Sequence, residues 1–276
     1  MDLQTLHSQL VAAFTSPTPN LDAMRPLLTK LKIVLTELNL LVPDLSSLGS
    51  SSSSSSSSAG ALSANQIALA RDVLEIGAFW SVRVHDVASF DRYMSLLEHF
   101  YEHESEGLPS SENKEPLWGL KLLRLLSSNQ ITAFHIALET IPPNLLSSTY
   151  IQHPVKLERW LMEGSYSKVW RLSREQPPKE EYAFFVDQLL HMIRTEIASC
   201  EEKAYDSLPL QDAATLLFFD NLQDVLSFAQ QRGWQVNPTT QTIDFAIQNA
   251  TNSNAIPKKQ TITNNLLFAK ELESIV

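Results

Sequence analysis

The chain has one cysteine, Cys200, so no internal disulfide can brace it, and its fold must rest on burial of apolar surface. Only seven glycines occur in 276 residues, few for a turn-rich sheet protein and ordinary for a helical one. No apolar run approaches the roughly 20 residues that a membrane helix needs. Cations are scarce relative to carboxylates, 21 Lys and Arg against 31 Asp and Glu, and the net charge of -10 repels both nucleic acid and anionic membranes at long range. The start, Met-Asp-Leu-Gln, has neither the basic opening nor the apolar centre of a signal peptide. What is present is a 43% hydrophobic complement, ample for one large or two ordinary cores. The expectation is a soluble, mostly α protein of the cytoplasm and nucleus whose partners are proteins.

Along the chain, Leu3, Leu6, Leu10, Val11 and Phe14 predict a short amphipathic helix ended by Pro17 and Pro19. A second begins after Asn20, with Leu27, Leu31, Val34, Leu35, Leu38 and Leu41 as its apolar face up to Pro43, and residues 1–45 form a helical hairpin. The unbroken run Ser50 to Ser58 has nothing to bury, so residues 46–62 are a flexible serine-rich insertion. Residues 63–178 carry successive helices: Asn65 to Val82, capped by Ser63 and Gln66, then Asp86 to Tyr101, Trp118 to Leu126, Ile131 to Ile141 and Leu157 to Leu172. Helices of this length with short connections predict a helical-repeat, TPR-like array, although no consensus repeat recurs.

The next stretch organises the rest. Ile193, Ile197, Cys200 and Ala204 share one helical face, read as core, with Glu201 off it. Leu208 to Leu210 leave room for a turn or small strand beside Pro209. Two short helices follow, one built on Ala213, Ala214, Leu216, Leu217 and Phe218, the other on Val225, Leu226, Phe228 and Ala229 and closed by Gly233. Trp234 and Val236, a turn at Pro238 to Thr240, and Ile243, Phe245 and Ile247 alternate as a hairpin. Helix, strand, two helices and a two-stranded wing make a winged helix over residues 179–248.

Residues 249–259 are a polar linker containing Pro257, and residues 260–276 are a C-terminal docking helix. There Ile262, Leu266, Ala269, Leu272 and Val276 recur at spacings of four, three, three and four, with Leu267, Phe268 and Ile275 beside them. A helix this short is marginal alone in water, so it docks either on its own domain or on a partner. If the segment Ile243, Phe245, Ile247 is an edge strand, a neighbour's strand can extend it.

Catalytic patterns are weak. His99 and His103 stand four apart, but Glu102 precedes the second His instead of following the first, unlike a zinc protease. Ser165-Tyr166-Ser167-Lys168 fits Ser-x-x-Lys without the companion motifs, and reads better as a helix interruption with Tyr166 and Trp170 packed inward. Cys200 on an apolar stripe predicts an inert buried thiol, and His135 and His153 have apolar or proline neighbours that suit structural roles. No glycine-rich phosphate loop occurs. Nothing points to a catalytic, cofactor or metal site. Were the second short helix of the winged helix to read DNA, Asp220 and Asp224 would oppose phosphate, with Arg232 its one cation.

A resemblance is carried by Tyr150-Ile151-Gln152-His153-Pro154, by Leu157-Glu158, and by Leu161-Met162-Glu163-Gly164-Ser165-Tyr166-Ser167-Lys168-Val169. Supporting segments are Leu69 to Ala78 with Trp80-Ser81, Phe90 to Tyr93, Phe134-His135, Glu202 to Tyr205, Arg232-Gly233-Trp234 and Ala269 to Val276. With these the chain resembles, over nearly its whole length, the PCI-domain (proteasome, signalosome, initiation factor) subunits of the proteasome lid. It departs at the serine insertion, at Ser167, where that family tends to have asparagine, and between Gln248 and Lys259.

The resemblance implies a helical-repeat array on a winged helix, no enzymatic activity, and a scaffold and assembly role in the lid of the 26S regulatory particle, serving ubiquitin-dependent degradation. Its implied partners are other lid subunits, met through the winged-helix edge (Ile243, Phe245, Ile247) and the C-terminal helix (Ile262, Leu266, Ala269, Leu272, Ile275, Val276), and indirectly the ATPase base. It implies no nucleic acid, membrane or small-molecule substrate. A small PCI subunit of the signalosome or of translation initiation factor three is the alternative.

Overall fold

A computed structural model describes residues 3–15, 21–38, 40–41, 64–102, 110–174, 177–237, 239–245 and 258–274. The serine run, His103, Pro257, Ile247, Ile275 and Val276 lie outside the described residues. The chain divides into two units, Met1–Met192 and Ile193–Val276, with the division inside one long helix.

In the first unit α1 (Leu3–Thr15) and α2 (Leu21–Glu37) pair and pack on α3 (Ala64–Arg83). The buried face of α2 is Met24, Leu28, Leu31 and Leu35, whereas Leu38 is exposed. The expected face therefore turns toward the flank that Met24 and Leu28 supply, and the helix stops at Glu37, not at Pro43. Helix α3 is buried almost all round from Ala70 to Val82 and packs along α4 (Val87–Glu102). Asp86 caps α4, its carboxylate accepting from the Ser89 hydroxyl at 2.6 Å and from the Ser89 amide at 3.1 Å, bonds to the charged form that lower its pKa. Then come α5 (Lys114–Ser127), α6 (Ile131–Thr140), α7 (Thr149–Met162), α8 (Tyr166–Arg174) and the first half of α9 (Glu180–Ala204). Tyr182, Phe185 and Leu189 of α9 are fully buried; the Tyr182 hydroxyl donates to the Pro116 carbonyl at 2.9 Å, and Phe185 lies 5.5 Å from the Phe90 ring.

The helix expected from Leu157 to Leu172, with an interruption at Gly164 to Lys168, is two helices that break at Glu163 to Ser165. Gly164, at φ 69°, closes α7: the Ser165 amide reaches back to the Trp160 carbonyl at 2.8 Å and the Gly164 amide to Leu161 at 3.0 Å. Val169, not Tyr166, is the inward residue of α8, and Tyr166 is exposed. The same closure ends α11 (Leu222–Arg232) at Gly233, where the Trp234 amide bonds the Ala229 carbonyl at 2.9 Å.

The second unit continues from α9 through β1 (Ser207–Pro209), α10 (Leu210–Leu216), α11, β2 (Gln235–Asn237) and β3 (Thr242–Asp244) to α12 (Lys258–Glu273). The strands form one antiparallel sheet in the order β1-β3-β2, with Ile243 opposite both Leu208 and Val236. Its core gathers Ala198, Leu208, Ala213, Leu217, Val225, Phe228, Trp234, Ile243 and Phe245. The expected stripe on α9 holds in its first half and is corrected in its second: Ile193 is buried and Ile197 packs against this core, but Cys200 and Ala204 are exposed, while Ala198 and Glu201 are buried. Arg194 explains the rotation. It donates to the Leu217 and Phe218 carbonyls at 3.2 and 3.3 Å and stacks 4.5 Å from the Phe219 ring, so the face of residues 194, 198 and 201 turns inward.

Candidate functional site

The residues of α12 are all exposed from Lys258 to Glu273. Ile262, Leu266, Leu267, Phe268 and Leu272 are between 50% and 67% exposed, an arrangement that costs free energy in water for as long as the helix is uncovered. Of the expected docking residues, Ile262, Leu266, Ala269 and Leu272 lie on this bare helix. Phe268 adds the largest exposed apolar side chain beside the stripe.

The expected wing contact needs correction. Strand β3 is the inner strand, paired on both sides, and Ile243 and Phe245 are 0% and 4% exposed. Phe245 meets Trp234 edge-on at 5.0 Å, and Trp234 meets Phe228 at 5.7 Å. Those side chains fill the core and present nothing to a neighbour. The outer strands are β1, which ends in Pro209, and β2, whose Gln235 and Asn237 are exposed. Strands of three residues carry no sequence signal of their order, so the pairing of β1 with β3 was invisible.

A polar network ties this unit together. Glu202 accepts from the Trp234 indole N–H at 2.7 Å and from Arg232 at 3.3 Å, and Arg232 also donates to the Thr195 carbonyl and to Ser199. Arg232 is thus an internal strut instead of a phosphate contact. Beside it Glu201, 5% exposed, finds no hydrogen-bond partner for either oxygen among the described residues. Burial, reinforced by the adjacent Glu202 charge, pushes its carboxyl up to about 7. In the first unit Glu75, 1% exposed, accepts from Tyr101 at 3.0 Å, Ser111 at 2.8 Å and Asn113 at 3.1 Å. Burial raises its pKa against those bonds and Arg71. Both carboxylates sit inside packed helices and serve the fold.

The candidate reactive groups do not converge. His99 is exposed, Cys200 is exposed, and the Lys168 ammonium lies 3.9 Å from Glu163. His135 contacts Glu158 at 3.3 Å, and His153 packs edge-on to Tyr182 at 6.2 Å. Among the described residues no three His, Cys, Asp or Glu side chains come together as metal ligands, and no helix is long and apolar enough to cross a membrane. An open cavity of about 820 Å³ in the first unit is lined by Phe14, Val82, Arg83, His85, Glu181 and Phe184. Arg83 and Glu181 there bond each other at 2.9 Å, and His85 stacks on Phe184 at 4.3 Å.

Residues 112–254 match the model of the CSN8/PSMD8/EIF3K family. The chain is 35% identical over 216 residues to the 26S proteasome non-ATPase regulatory subunit 8 homolog A of Arabidopsis thaliana, covering 78% of this chain and 80% of that protein. It is 35% identical over 213 residues to the 26S proteasome non-ATPase regulatory subunit 8 of Caenorhabditis elegans, 76% of this chain and 83% of that one. To the 26S proteasome regulatory subunit RPN12 of Saccharomyces cerevisiae it is 38% identical over 176 residues, 62% of this chain and 64% of the relative.

Proposed function

This chain belongs to the CSN8/PSMD8/EIF3K family, and we propose that it is a scaffold and assembly subunit of the lid of the 26S proteasome regulatory particle, supporting ubiquitin-dependent protein degradation. The relatives cited are all named as proteasome regulatory subunits, which does not favour the signalosome or initiation-factor alternative. The observation that carries the docking role is α12, a helix with five large apolar side chains at least half exposed. Covering them would contribute roughly 1.5 to 3 kcal/mol each before ordering costs, enough in sum to hold a subunit in a complex.

In this reading the first unit is a TPR-like helical array, and α9 to β3 are the winged-helix part of a PCI domain. Ile262, Leu266, Ala269 and Leu272 enter a bundle shared with other lid subunits, with Ile275 and Val276 extending the stripe. Lateral association through the sheet passes along β2, since β1 is blunted by Pro209, which lacks the N–H a neighbouring strand would need. The chain acts without catalysis, cofactor or nucleic acid, in cytoplasm and nucleus, and meets the ATPase base through the lid it completes.

The test is co-expression of the tagged full-length chain with the other lid subunits, comparing it with Leu266→Asp and Leu272→Asp. Both substitutions fall on exposed positions and leave the fold intact. Stoichiometric capture by the parent chain and its loss in either variant supports the assignment; equal capture by the variants refutes the docking role of α12.

A further inference from the structure

In a chain of net charge -10, α7 and α8 form a positive ladder. Lys156, Arg159, Lys168, Arg171 and Arg174 are all exposed, and residues 149–174 hold only two carboxylates, Glu158 in α7 and Glu163 between the helices. Glu158 is turned away, its side chain 13% exposed and 3.3 Å from His135. Glu163 sits between the helices, accepting from Arg159 at 2.9 Å and lying 3.9 Å from Lys168, which places those two cations side by side across the Gly164 closure. From there the ladder runs in steps of three, Lys156 to Arg159 on α7 and Lys168 to Arg171 to Arg174 on α8, a spacing that keeps each group on one helical face. Arg174 is held 5.1 Å over the Trp170 ring. Lys156 and Arg171 have no ion-pair partner among the described residues, and Glu175, the next carboxylate, lies outside them. The same segment carries two exposed apolar groups beside the Gly164 closure, Met162 at 63% and Tyr166 at 39%.

From this arrangement we infer that the α7–α8 face is a docking surface for an acidic polypeptide segment, with carboxylates spaced along the ladder and an apolar side chain seated on Met162 and Tyr166. Nucleic acid offers the same negative charge. It is disfavoured because the whole-chain charge repels a long polyanion, whereas a short acidic segment lies within the local positive field at a Debye length of about 8 Å. The apolar pair also has no role against phosphate. This surface belongs to the first unit and uses no residue of α12, and the inference holds whichever complex the chain enters.

The experiment uses the isolated full-length chain and a fluorescein-labelled peptide in which glutamates surround one phenylalanine and one leucine, read by fluorescence anisotropy. The result expected is saturable binding that weakens as salt rises. Lys168→Glu with Arg171→Glu weakens it on the order of tenfold, because each reversal replaces an attraction by a repulsion. Met162→Ser weakens it about threefold through lost apolar contact. A control that reverses two exposed lysines elsewhere, Lys30→Glu with Lys258→Glu, changes the net charge equally and leaves affinity within about twofold. The inference is overturned if the peptide does not bind, if the control loses as much as the ladder variant, or if a labelled single-stranded oligothymidine binds more tightly than the peptide with the same sensitivity to the ladder reversals.

Discussion

Glu201 makes the stability of the second unit fall as pH rises. It is 5% exposed and both oxygens lack a hydrogen-bond donor among the described residues, while Glu202 beside it accepts from Arg232 and Trp234. A carboxyl raised from 4.5 to about 7 binds its proton more tightly in the folded chain than in the unfolded one. The linked stability is therefore complete below the unfolded value and is lost as pH rises through the folded value. At about 1.4 kcal/mol per pKa unit the loss is at most about 3.5 kcal/mol. Glu201→Gln removes the titration but keeps the shape, and the amide's own unsatisfied groups add a cost of about 1 to 3 kcal/mol that does not depend on pH. The ratio to follow is thus the parent-to-variant difference between about pH 5 and about pH 8.5, expected to shift by about 2 to 3 kcal/mol in favour of the variant at the higher pH. Trp234 is the one tryptophan beyond residue 192, so a urea titration read by the fluorine resonance of 5-fluorotryptophan at that position reports this unit alone. A difference that is flat with pH, or that favours the parent chain at high pH, refutes the reasoning.

Three further outcomes follow from the packing. Gly119→Ala places a methyl against the Tyr182 hydroxyl and the Tyr150 carbonyl, displacing the buried Tyr182 to Pro116 bond; a loss of about 2 to 4 kcal/mol is expected in urea denaturation followed by circular dichroism. Trp234→Phe removes the 2.7 Å bond to Glu202 while keeping most of the apolar contact, and lowers the stability of the second unit by about 1.5 to 3 kcal/mol in amide hydrogen exchange over α11 and β2. Cys200 is exposed, so a chromogenic aromatic disulfide titrates it stoichiometrically in the native chain; protection until denaturant is added would contradict its placement.

How far the sequence could be read depended on whether the determining contacts were local. The existence of the long helices, the Gly233 closure and the hairpin after Trp234 follows from spacing and from residues that tolerate a left-handed φ, although α2 stops short of Pro43 and Gly164 divides α7 from α8. On α9 the period gave the right helix and the right face at Ile193 and Ile197, but the wrong one at Cys200 and Ala204. Cysteine and alanine cost little to expose, and nothing local announces that Arg194 will cap α10 and turn Glu201 inward. In α2, Leu27 and Val34 compete with Met24, Leu28 and Leu35 for two neighbouring stripes, and packing on α3 settles between them. The place of Ile243 at the centre of the sheet depends on β1, more than thirty residues earlier in the chain, closing on its far side. The α12 stripe was legible because no tertiary contact among the described residues overrides it. The α7–α8 ladder was present in the spelling but became a surface only when Gly164 folded two helices side by side.

The most direct test of the account compares the full-length chain with one ending at Pro257, each co-purified with the other subunits of the proteasome lid. The account predicts stoichiometric incorporation of the full-length chain and its loss on removal of α12, with the truncated chain still folded by circular dichroism. Incorporation of the truncated chain to the same extent, or a full-length chain that remains alone, would contradict it.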